Sequence, residues 1–484
     1  IASNNGNLGN SYLSLGEYQK AILYYEESLQ ISTEMGDRSR IASNNGNLGN
    51  AYRSLGEYQK AIEYYEKGLQ VSTEIGDRSG IASNNGNLGN AYLSLGEYQK
   101  AIEYYEKGLQ ITTEIGDRSG IASNNGNLGN SYLSLGEYEK AIEYYEKGLQ
   151  ISTEMGDRSR IASNNGNLGT AYHRFGEYKK AIEYYEKGLQ ISTEIGDRSG
   201  IASINGNLGI AFCNLGEYQK AIKYYKKGLQ VSIEIGDRLG IASNNGNLGT
   251  AYRNLGEYQK AIEYHEKSLL ISTEIGYRSG IASNNGHLGN SYLSLGEYQK
   301  AIEYYEKSLH TSTEIGDQSG IATNNGNLGN AYCNLGECQK AIEYYEKGLQ
   351  IATEIGDPSG IASINGNLGN SYLSLGEYQK AIEYYEKSLQ ISTEMGNRSR
   401  IASNTGNLGN AYSNLGEYQK AVEYYEKGLE ISTEIGDRSR IASIIGNLGN
   451  AYLSLREFQK AIKYFEKGLQ ISTEIGDRSG IASN

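Results

Sequence analysis

A ten-residue stretch, IASNNGNLGN at Ile1–Asn10, returns in some version every forty residues along the 484-residue chain. Cutting the chain at that period gives twelve blocks with no insertion or deletion. A period of this length is typical of arrays in which each unit is one supersecondary element that needs its neighbours to bury its apolar face. We number positions 1 to 40 from the first residue of each block.

The period predicts a single continuous domain over 1–484. This domain consists of twelve repeats and the first four residues of a thirteenth, 481–484. Both ends of the sequence fall inside the repeat unit, so we expect the chain to be cut from a longer array. The predicted repeats are 1–40, 41–80, 81–120, 121–160, 161–200, 201–240, 241–280, 281–320, 321–360, 361–400, 401–440 and 441–480.

Each block has the pattern of two helices separated by a glycine. Before Gly96 in the third block, small and apolar residues share one helical face, at Ile81, Ala82, Leu88, Gly89, Tyr92 and Leu95. A second run with the same spacing follows, at Tyr98, Ala101, Ile102, Tyr105, Leu109 and Ile115. Asp77 is an N-cap residue type, and Gly116 can supply a left-handed C-cap. The pattern predicts an all-α chain of antiparallel helix pairs.

The Asn85-Gly86 pair inside the first of these helices is also a strong signal for a tight turn. A turn there would leave helical pieces of about one turn, which are not stable in isolation. A continuous helix keeps Leu88 and Tyr92 in phase with Ile81, and we therefore predict helix through the pair. Its asparagines and glycines cost on the order of 3 kcal/mol in helix propensity, which burial between neighbouring repeats must offset.

Charge and composition exclude several classes of function. A formal net charge of −12 argues against a general affinity for nucleic acid or anionic membrane. No apolar run is long enough for membrane insertion as a transmembrane helix. The three cysteines, Cys213, Cys333 and Cys338, lack the spacing of a metal site or a disulfide framework and fit a reducing compartment.

Catalytic chemistry has no support in the sequence. The four histidines, His173, His265, His287 and His310, stand at different positions of the repeat without a carboxylate at fixed spacing. The GNLGN segment is no phosphate loop, because no strand precedes it and no Lys-Ser or Lys-Thr follows. We predict a protein that is not an enzyme, with no metal, no cofactor and no small-molecule substrate.

The segment NLGNAYLSLGEYQKAIEYYEKGL (Asn87–Leu109) resembles the tetratricopeptide repeat. It matches the small–large pattern of that family at Leu88, Gly89, Tyr92, Gly96, Tyr98, Ala101, Tyr105 and Leu109. The forty-residue spacing is similar to that of a narrower group, the LGN/Pins polarity adaptors, and of tetratricopeptide repeat protein 28-like proteins. The resemblance implies an α-solenoid of twelve tandem antiparallel helix pairs that forms a right-handed superhelix with first helices along a concave groove.

Two departures from the family pattern put local packing in question. Arg456 takes the place of the glycine between the helices, and His265 takes the place of a core tyrosine.

A second stripe on the first helix, which includes Ser83, Gly86, Asn90 and Leu93, lies on a different face from the core residues. The family geometry places this stripe on the concave face. Asparagine carries a donor and an acceptor, so a row of asparagines suits the backbone of an extended peptide. Bracing of neighbouring helices is the competing role. The candidate peptide-binding row is Asn10, Asn50, Asn90, Asn130, Asn290, Asn330, Asn370, Asn410 and Asn450, interrupted by Thr170, Ile210 and Thr250.

Position 13 differs between repeats, and by helical phase it faces the same groove. Varied residues beside a uniform row would give a choice of ligand sequence. An exposed position that drifts without function is the competing interpretation. The candidates for favouring acidic side chains are Arg53, His173, Arg174 and Arg253.

Together these features predict a non-catalytic scaffold for protein–protein interaction that binds an extended peptide of a partner along its groove. The resemblance implies polarity or signalling partners and a cytoplasmic location, the cell cortex included. The alternative is a regulatory or sensor array attached to an enzymatic or nucleotide-binding switch domain outside this sequence. A structural spacer without a ligand is the third interpretation.

Overall fold

A computed structural model describes residues 1–475 of the chain. This part of the chain consists of 24 α-helices without a strand, which confirms the predicted all-α solenoid of tandem helix pairs. The predicted start of a thirteenth repeat, 481–484, lies outside the described residues. The chain divides into two compact units, Ile1–Gly240 and Ile241–Asn484, and each is described by itself.

The first unit is built from helices α1 to α12, in which every odd-numbered helix packs against the even-numbered helix that follows it. Their bounds are α1 Ala2–Ser14, α2 Tyr18–Glu34, α3 Arg38–Ser54, α4 Tyr58–Glu74, α5 Arg78–Ser94, α6 Tyr98–Glu114, α7 Arg118–Leu135, α8 Tyr138–Met155, α9 Arg158–Arg174, α10 Tyr178–Ile195, α11 Arg198–Asn214 and α12 Tyr218–Ile235.

The second unit has the same arrangement, and the division between the units falls within α13. The bounds are α13 Arg238–Asn254, α14 Tyr258–Glu274, α15 Arg278–Ser294, α16 Tyr298–Glu314, α17 Gln318–Asn334, α18 Cys338–Glu354, α19 Pro358–Ser374, α20 Tyr378–Glu394, α21 Arg398–Asn414, α22 Tyr418–Ile435, α23 Arg438–Ser454 and α24 Phe458–Ile475.

Local signals in the sequence place the helix ends. The Asp77 carboxylate accepts a hydrogen bond from the Gly80 N–H at 3.0 Å and caps the start of α5. Gly96 adopts a left-handed φ of +79°, after which the Glu97 N–H donates to the Tyr92 carbonyl at 3.0 Å. This reverse turn closes the first helix and starts the second helix of the pair.

The first helix runs through the Asn-Gly pair without a break, as predicted. In α5, Asn84 and Asn85 are 5% and 3% exposed. Their side-chain amides donate to the carbonyls of Gly80 and Ile81, both at 2.8 Å. Burial and these back-bonds stabilise a segment whose composition favours a turn.

The core of each pair centres on a tyrosine ring that lies against a glycine. Tyr105 is fully buried, and a Cβ at Gly89 would stand only 2.5 Å from its ring. Leu88 and Ala101 are also fully buried beside this contact. The first helix therefore approaches the second closely enough that only a residue without a side chain fits at position 9.

Some residues of the predicted apolar faces are not core. Leu95 and Ile115 are 41% and 43% exposed, because each directly follows the last residue of a helix. Tyr92 is half-buried and stacks on Tyr104 of the same repeat, with ring centroids 5.4 Å apart.

The two departures from the family pattern are accommodated differently. Arg456 adopts a left-handed φ of 61° in place of glycine, a conformation that costs about 1 kcal/mol for an L-residue. His265 is fully buried in the position of the core tyrosine.

We predict opposite effects from two alanine substitutions in α5. Gly89→Ala should lower the free energy of opening of α5 and α6 by about 1–3 kcal/mol, because its Cβ meets the Tyr105 ring. Gly86→Ala should raise it by about 0.5–1 kcal/mol, because no atom lies within 4 Å of the added Cβ and alanine favours helix. Native-state hydrogen exchange measures both, and equal effects would contradict the contact.

Candidate functional site

One face of the first helices carries small and polar side chains. We call this surface, formed by positions 39, 40, 3, 6, 7 and 10, the polar face. In the first unit it forms a depression of about 370 Å³ between α3 and α5, lined by Ser43, Gly46, Asn50, Ser83 and Asn87 among others. In the second unit a larger depression of about 640 Å³ lies along α19, α21 and α23.

The asparagines at position 10 receive a hydrogen bond from the core tyrosine of their own repeat. The Tyr105 hydroxyl donates to Asn90 Oδ1 at 2.8 Å, and burial raises the pKa of this hydroxyl. The same bond, at 2.7 or 2.8 Å, joins Tyr25–Asn10, Tyr65–Asn50, Tyr145–Asn130, Tyr305–Asn290, Tyr345–Asn330, Tyr385–Asn370 and Tyr425–Asn410. In the last repeat Phe465 replaces the tyrosine, so Asn450 lacks this bond.

The same oxygen also links neighbouring repeats in the second unit. The side-chain amide of Asn367 donates to Asn330 Oδ1 at 3.0 Å, and Asn447 donates to Asn410 Oδ1 at the same distance. Asn407 donates to Asn370 Oδ1 at 3.3 Å. Bracing is therefore an observed role of these asparagines.

The hydrogen bonds leave a donor exposed on the polar face. Because the tyrosine occupies Oδ1, the Nδ2 group of the position-10 asparagine turns outward. Among the described residues this Nδ2 has no hydrogen-bond acceptor in Asn50, Asn90, Asn370 or Asn410. In these four asparagines Nδ2 is thus an unused donor, whereas Oδ1 already accepts one or two hydrogen bonds.

The residues that interrupt the asparagine row do not present this outward amide donor. Thr170 accepts the Tyr185 hydroxyl at 3.2 Å, while its own hydroxyl donates to the Gly166 carbonyl at 3.1 Å. Threonine therefore keeps the contact with the core tyrosine and removes the outward donor. Ile210 removes both.

The four specificity candidates occupy different environments. Arg53 and Arg253 are half-buried, and the Nε of each is buried without a partner among the described residues. The Arg53 guanidinium lies beside the Tyr65 hydroxyl, whose pKa burial raises to about 12. His173 Nε2 is 2.8 Å from the side-chain amide of Asn214, so it is already engaged. Arg174 is exposed.

A pair of histidines replaces the usual tyrosine contact in the second unit. The rings of His265 and His287 stack with centroids 5.0 Å apart. Burial, with His287 and Arg253 nearby, lowers the pKa of His265 to about 3. Burial and the Arg253 guanidinium lower the pKa of His287 to about 4. Both imidazoles are therefore neutral at physiological pH. The lone pair of each imidazole points outward in the plane of its own ring. Two rings that stack face to face therefore cannot direct their lone pairs at one metal ion between them.

Sequence reasoning missed two parts of the polar face, positions 7 and 40. The large depression is lined by Arg400, Ser403, Asn407 and Asn410, which follow one another at three- or four-residue spacing. This spacing places all four on one helical stripe, so the signal was present in the sequence. The predicted stripe began at position 3, which in this repeat is Ser403, and therefore did not include Arg400 at position 40.

Over residues 1–475, no group of three or more metal-ligating side chains comes together. The helices described are also too short or too polar to cross a membrane.

A family model described as Tetratricopeptide repeat matches the chain in nine segments, of which the first seven overlap. They are residues 1–74, 39–114, 79–154, 120–194, 157–234, 200–274, 240–314, 320–394 and 399–474. No curated protein matches the chain.

Several solved structures resemble the chain at low sequence identity. The apo form of RapI is 15% identical, with a TM-score of 0.57 over 73% of this chain and 98% of that one. A signal transduction ATPase with a tetratricopeptide repeat sensor from Pyrococcus horikoshii is 17% identical, with a TM-score of 0.55 over 79% and 55%. The apo quorum sensor NprR from B. thuringiensis is 18% identical, with a TM-score of 0.51 over 69% and 96%. These likenesses show a shared fold.

We predict that Asn90→Ala lowers the free energy of opening of α5 and α6 by about 1 kcal/mol, because the buried Tyr105 hydroxyl loses its acceptor. Asn450→Ala is the matched control, since its repeat has Phe465 in place of the tyrosine. Hydrogen exchange should show this control to be neutral or slightly stabilising. A loss of equal size in both variants would contradict the role of the hydroxyl.

The histidine pair predicts a pH-dependent stability in the second unit. The folded chain keeps both imidazoles neutral, whereas the unfolded chain protonates them below about pH 6.5. Stability is therefore complete above about pH 6.5 and is lost as the pH falls toward 4, by about 1.4 kcal/mol per pH unit for each excluded proton.

The double variant His265→Tyr with His287→Asn restores the residues found at these positions in most repeats. We expect it to remove this part of the pH dependence, because neither introduced side chain takes up a proton in this range. The introduced tyrosine can donate to Thr250 as Tyr185 donates to Thr170, so the core contact is kept. Urea unfolding between about pH 4 and pH 7 measures the difference between the two proteins. Parallel profiles would show that the histidines do not contribute.

Proposed function

Because the chain belongs to the tetratricopeptide repeat family, we propose that it is a non-catalytic scaffold whose polar face binds an extended peptide segment of a protein partner. The family model covers nearly the whole chain, and repeats of this family mediate interactions between proteins. The proposal includes no cofactor, no nucleic acid and no small-molecule substrate.

The observation that supports this function is the orientation of the position-10 asparagines. In eight repeats the core tyrosine donates to Oδ1 of the position-10 asparagine, and in Asn90 this leaves Nδ2 as an outward donor. Donors that recur once per repeat suit the carbonyl groups of an extended backbone, whatever its sequence. A rigid scaffold that fixes these donors in advance reduces the entropy lost on binding.

The small residue at position 6 supports the same proposal. Gly86 has no atom within 4 Å of where its Cβ would stand, so the fold itself does not require glycine there. Glycine inside a helix costs about 1 kcal/mol relative to alanine. Close approach of a ligand backbone is a use that would offset this cost.

We place the partners among polarity or signalling proteins, with this chain as a cytoplasmic adaptor that works at the cell cortex or elsewhere in the cytoplasm. The family resemblance supports this assignment. The three cysteines, Cys213, Cys333 and Cys338, are thiols, which agrees with a reducing compartment.

The test separates binding from folding by changing asparagine to threonine. In repeat five, Thr170 still accepts the Tyr185 hydroxyl, so threonine at position 10 preserves the core contact. We predict that Asn50→Thr with Asn90→Thr, or Asn370→Thr with Asn410→Thr, weakens binding about ten-fold while helicity is unchanged. Peptides selected from a displayed random twelve-residue library are the ligands, and fluorescence anisotropy measures their affinity.

A variant of the second helices, Glu103→Ala with Glu106→Ala, is the control, since both residues are exposed and lie outside the polar face. It should bind the selected peptides as the unchanged chain does. The proposal fails if the threonine variants bind the selected peptides as tightly as the unchanged chain does.

A further inference from the structure

Position 40 holds an arginine in four of the described repeats, and in three of them a carboxylate is its partner. Arg40 Nη1 lies 3.2 Å from Asp37, and Arg440 Nη1 lies 3.5 Å from Asp437. Arg160 is also paired, with its Nε 3.5 Å from Asp157. In these repeats the acid at position 37 both caps the first helix and neutralises the arginine.

The fourth arginine, Arg400, lacks this partner because position 37 of its repeat is Asn397. The Asn397 side chain still caps the helix, since Oδ1 accepts the Arg400 backbone N–H at 3.1 Å. The Arg400 guanidinium donates through Nη1 to the Ser359 carbonyl at 2.7 Å. No carboxylate among the described residues forms an ion pair with it. Asparagine in place of aspartate at position 37 thus keeps the helix cap and removes the negative charge that would pair with Arg400.

Arg400 is half-buried and lines the depression of about 640 Å³ along α19, α21 and α23. Arg440 lines it as well, and none of its lining residues is acidic. The lining also includes Asn370 and Asn410, whose Oδ1 atoms are occupied by Tyr385 and Tyr425. The guanidinium and amide groups therefore supply hydrogen-bond donors to a depression whose lining holds no carboxylate.

We propose that this depression is an anion subsite that binds an Asp or Glu carboxylate of the ligand peptide at the Arg400 guanidinium. The inference rests on the proposed function, since it assigns a ligand class to one part of the same face. The remainder of the chain disfavours acidic ligands in general, because its net charge is −12. The subsite thus selects an acidic residue at one place rather than an acidic partner at every place.

The experiment compares two labelled ten-residue peptides, (Ser-Glu)5 and (Ser-Gln)5, on the full chain by fluorescence anisotropy. We expect the acidic peptide to bind about ten-fold more tightly, the effect of one charged hydrogen-bonded contact. Asn397→Asp restores the acid found at this position in most repeats and should remove the preference. Arg400→Gln should have the same effect.

Gln379→Glu is the matched control for charge. Gln379 is exposed on the second helix α20, and the equivalent position in repeat four is naturally Glu139. This variant adds the same charge as Asn397→Asp outside the depression, so the preference should persist. Arg160→Gln, which removes an arginine already paired with Asp157, should also preserve it.

Equal affinity of the two peptides, with both weakened by the asparagine-to-threonine variants, would overturn the anion subsite and leave the peptide scaffold standing. A preference for the acidic peptide that Asn397→Asp leaves intact would also overturn it. Absence of binding by either peptide at about 1 mM counts against the subsite, and the library selection then decides the scaffold independently.

Discussion

The contact between the tyrosine ring at position 25 and the glycine at position 9 is the constraint on which the rest of the structure depends. It brings the two helices of a pair close enough that Gly89 has no room for a side chain. The ring of Tyr105 is fully buried there, while its hydroxyl reaches the edge of the polar face. One residue thus sets the spacing of the helices and the orientation of Asn90. The core and the candidate site are therefore parts of one arrangement.

The fold followed from the sequence because its signals are local and occur in every repeat. Helical spacing, the Asp77 cap and the glycine between the helices each act over a few residues. Leu95 and Ile115 were assigned to the core because the spacing continues to the helix ends. Burial there depends on where the neighbouring helix ends, which periodicity does not report.

The candidate site was predictable only in part. Helical phase placed the asparagine row on one stripe, but the hydrogen bond from Tyr105 to Asn90 joins residues fifteen apart on different helices. Its existence depends on the distance between the helices, and this distance follows from the glycine contact. The unpaired state of Arg400 was visible in the sequence at Asn397. Its significance depends on the Asp37–Arg40 and Asp437–Arg440 ion pairs, which only the structure shows.

The near identity of the tyrosine–glycine contacts means that the first helix of one repeat fits the second helix of almost any other. Only His265 and Phe465 distinguish their repeats at position 25. Correct pairing must therefore come from chain connectivity, since the three residues between α5 and α6 keep the proper partner at a high effective concentration. The tyrosine–glycine contact makes any first helix able to pack against a second helix. The short connection between the two helices of a repeat determines which second helix it packs against. Two unfolded molecules at high concentration would meet the same ambiguity and could exchange repeats with each other.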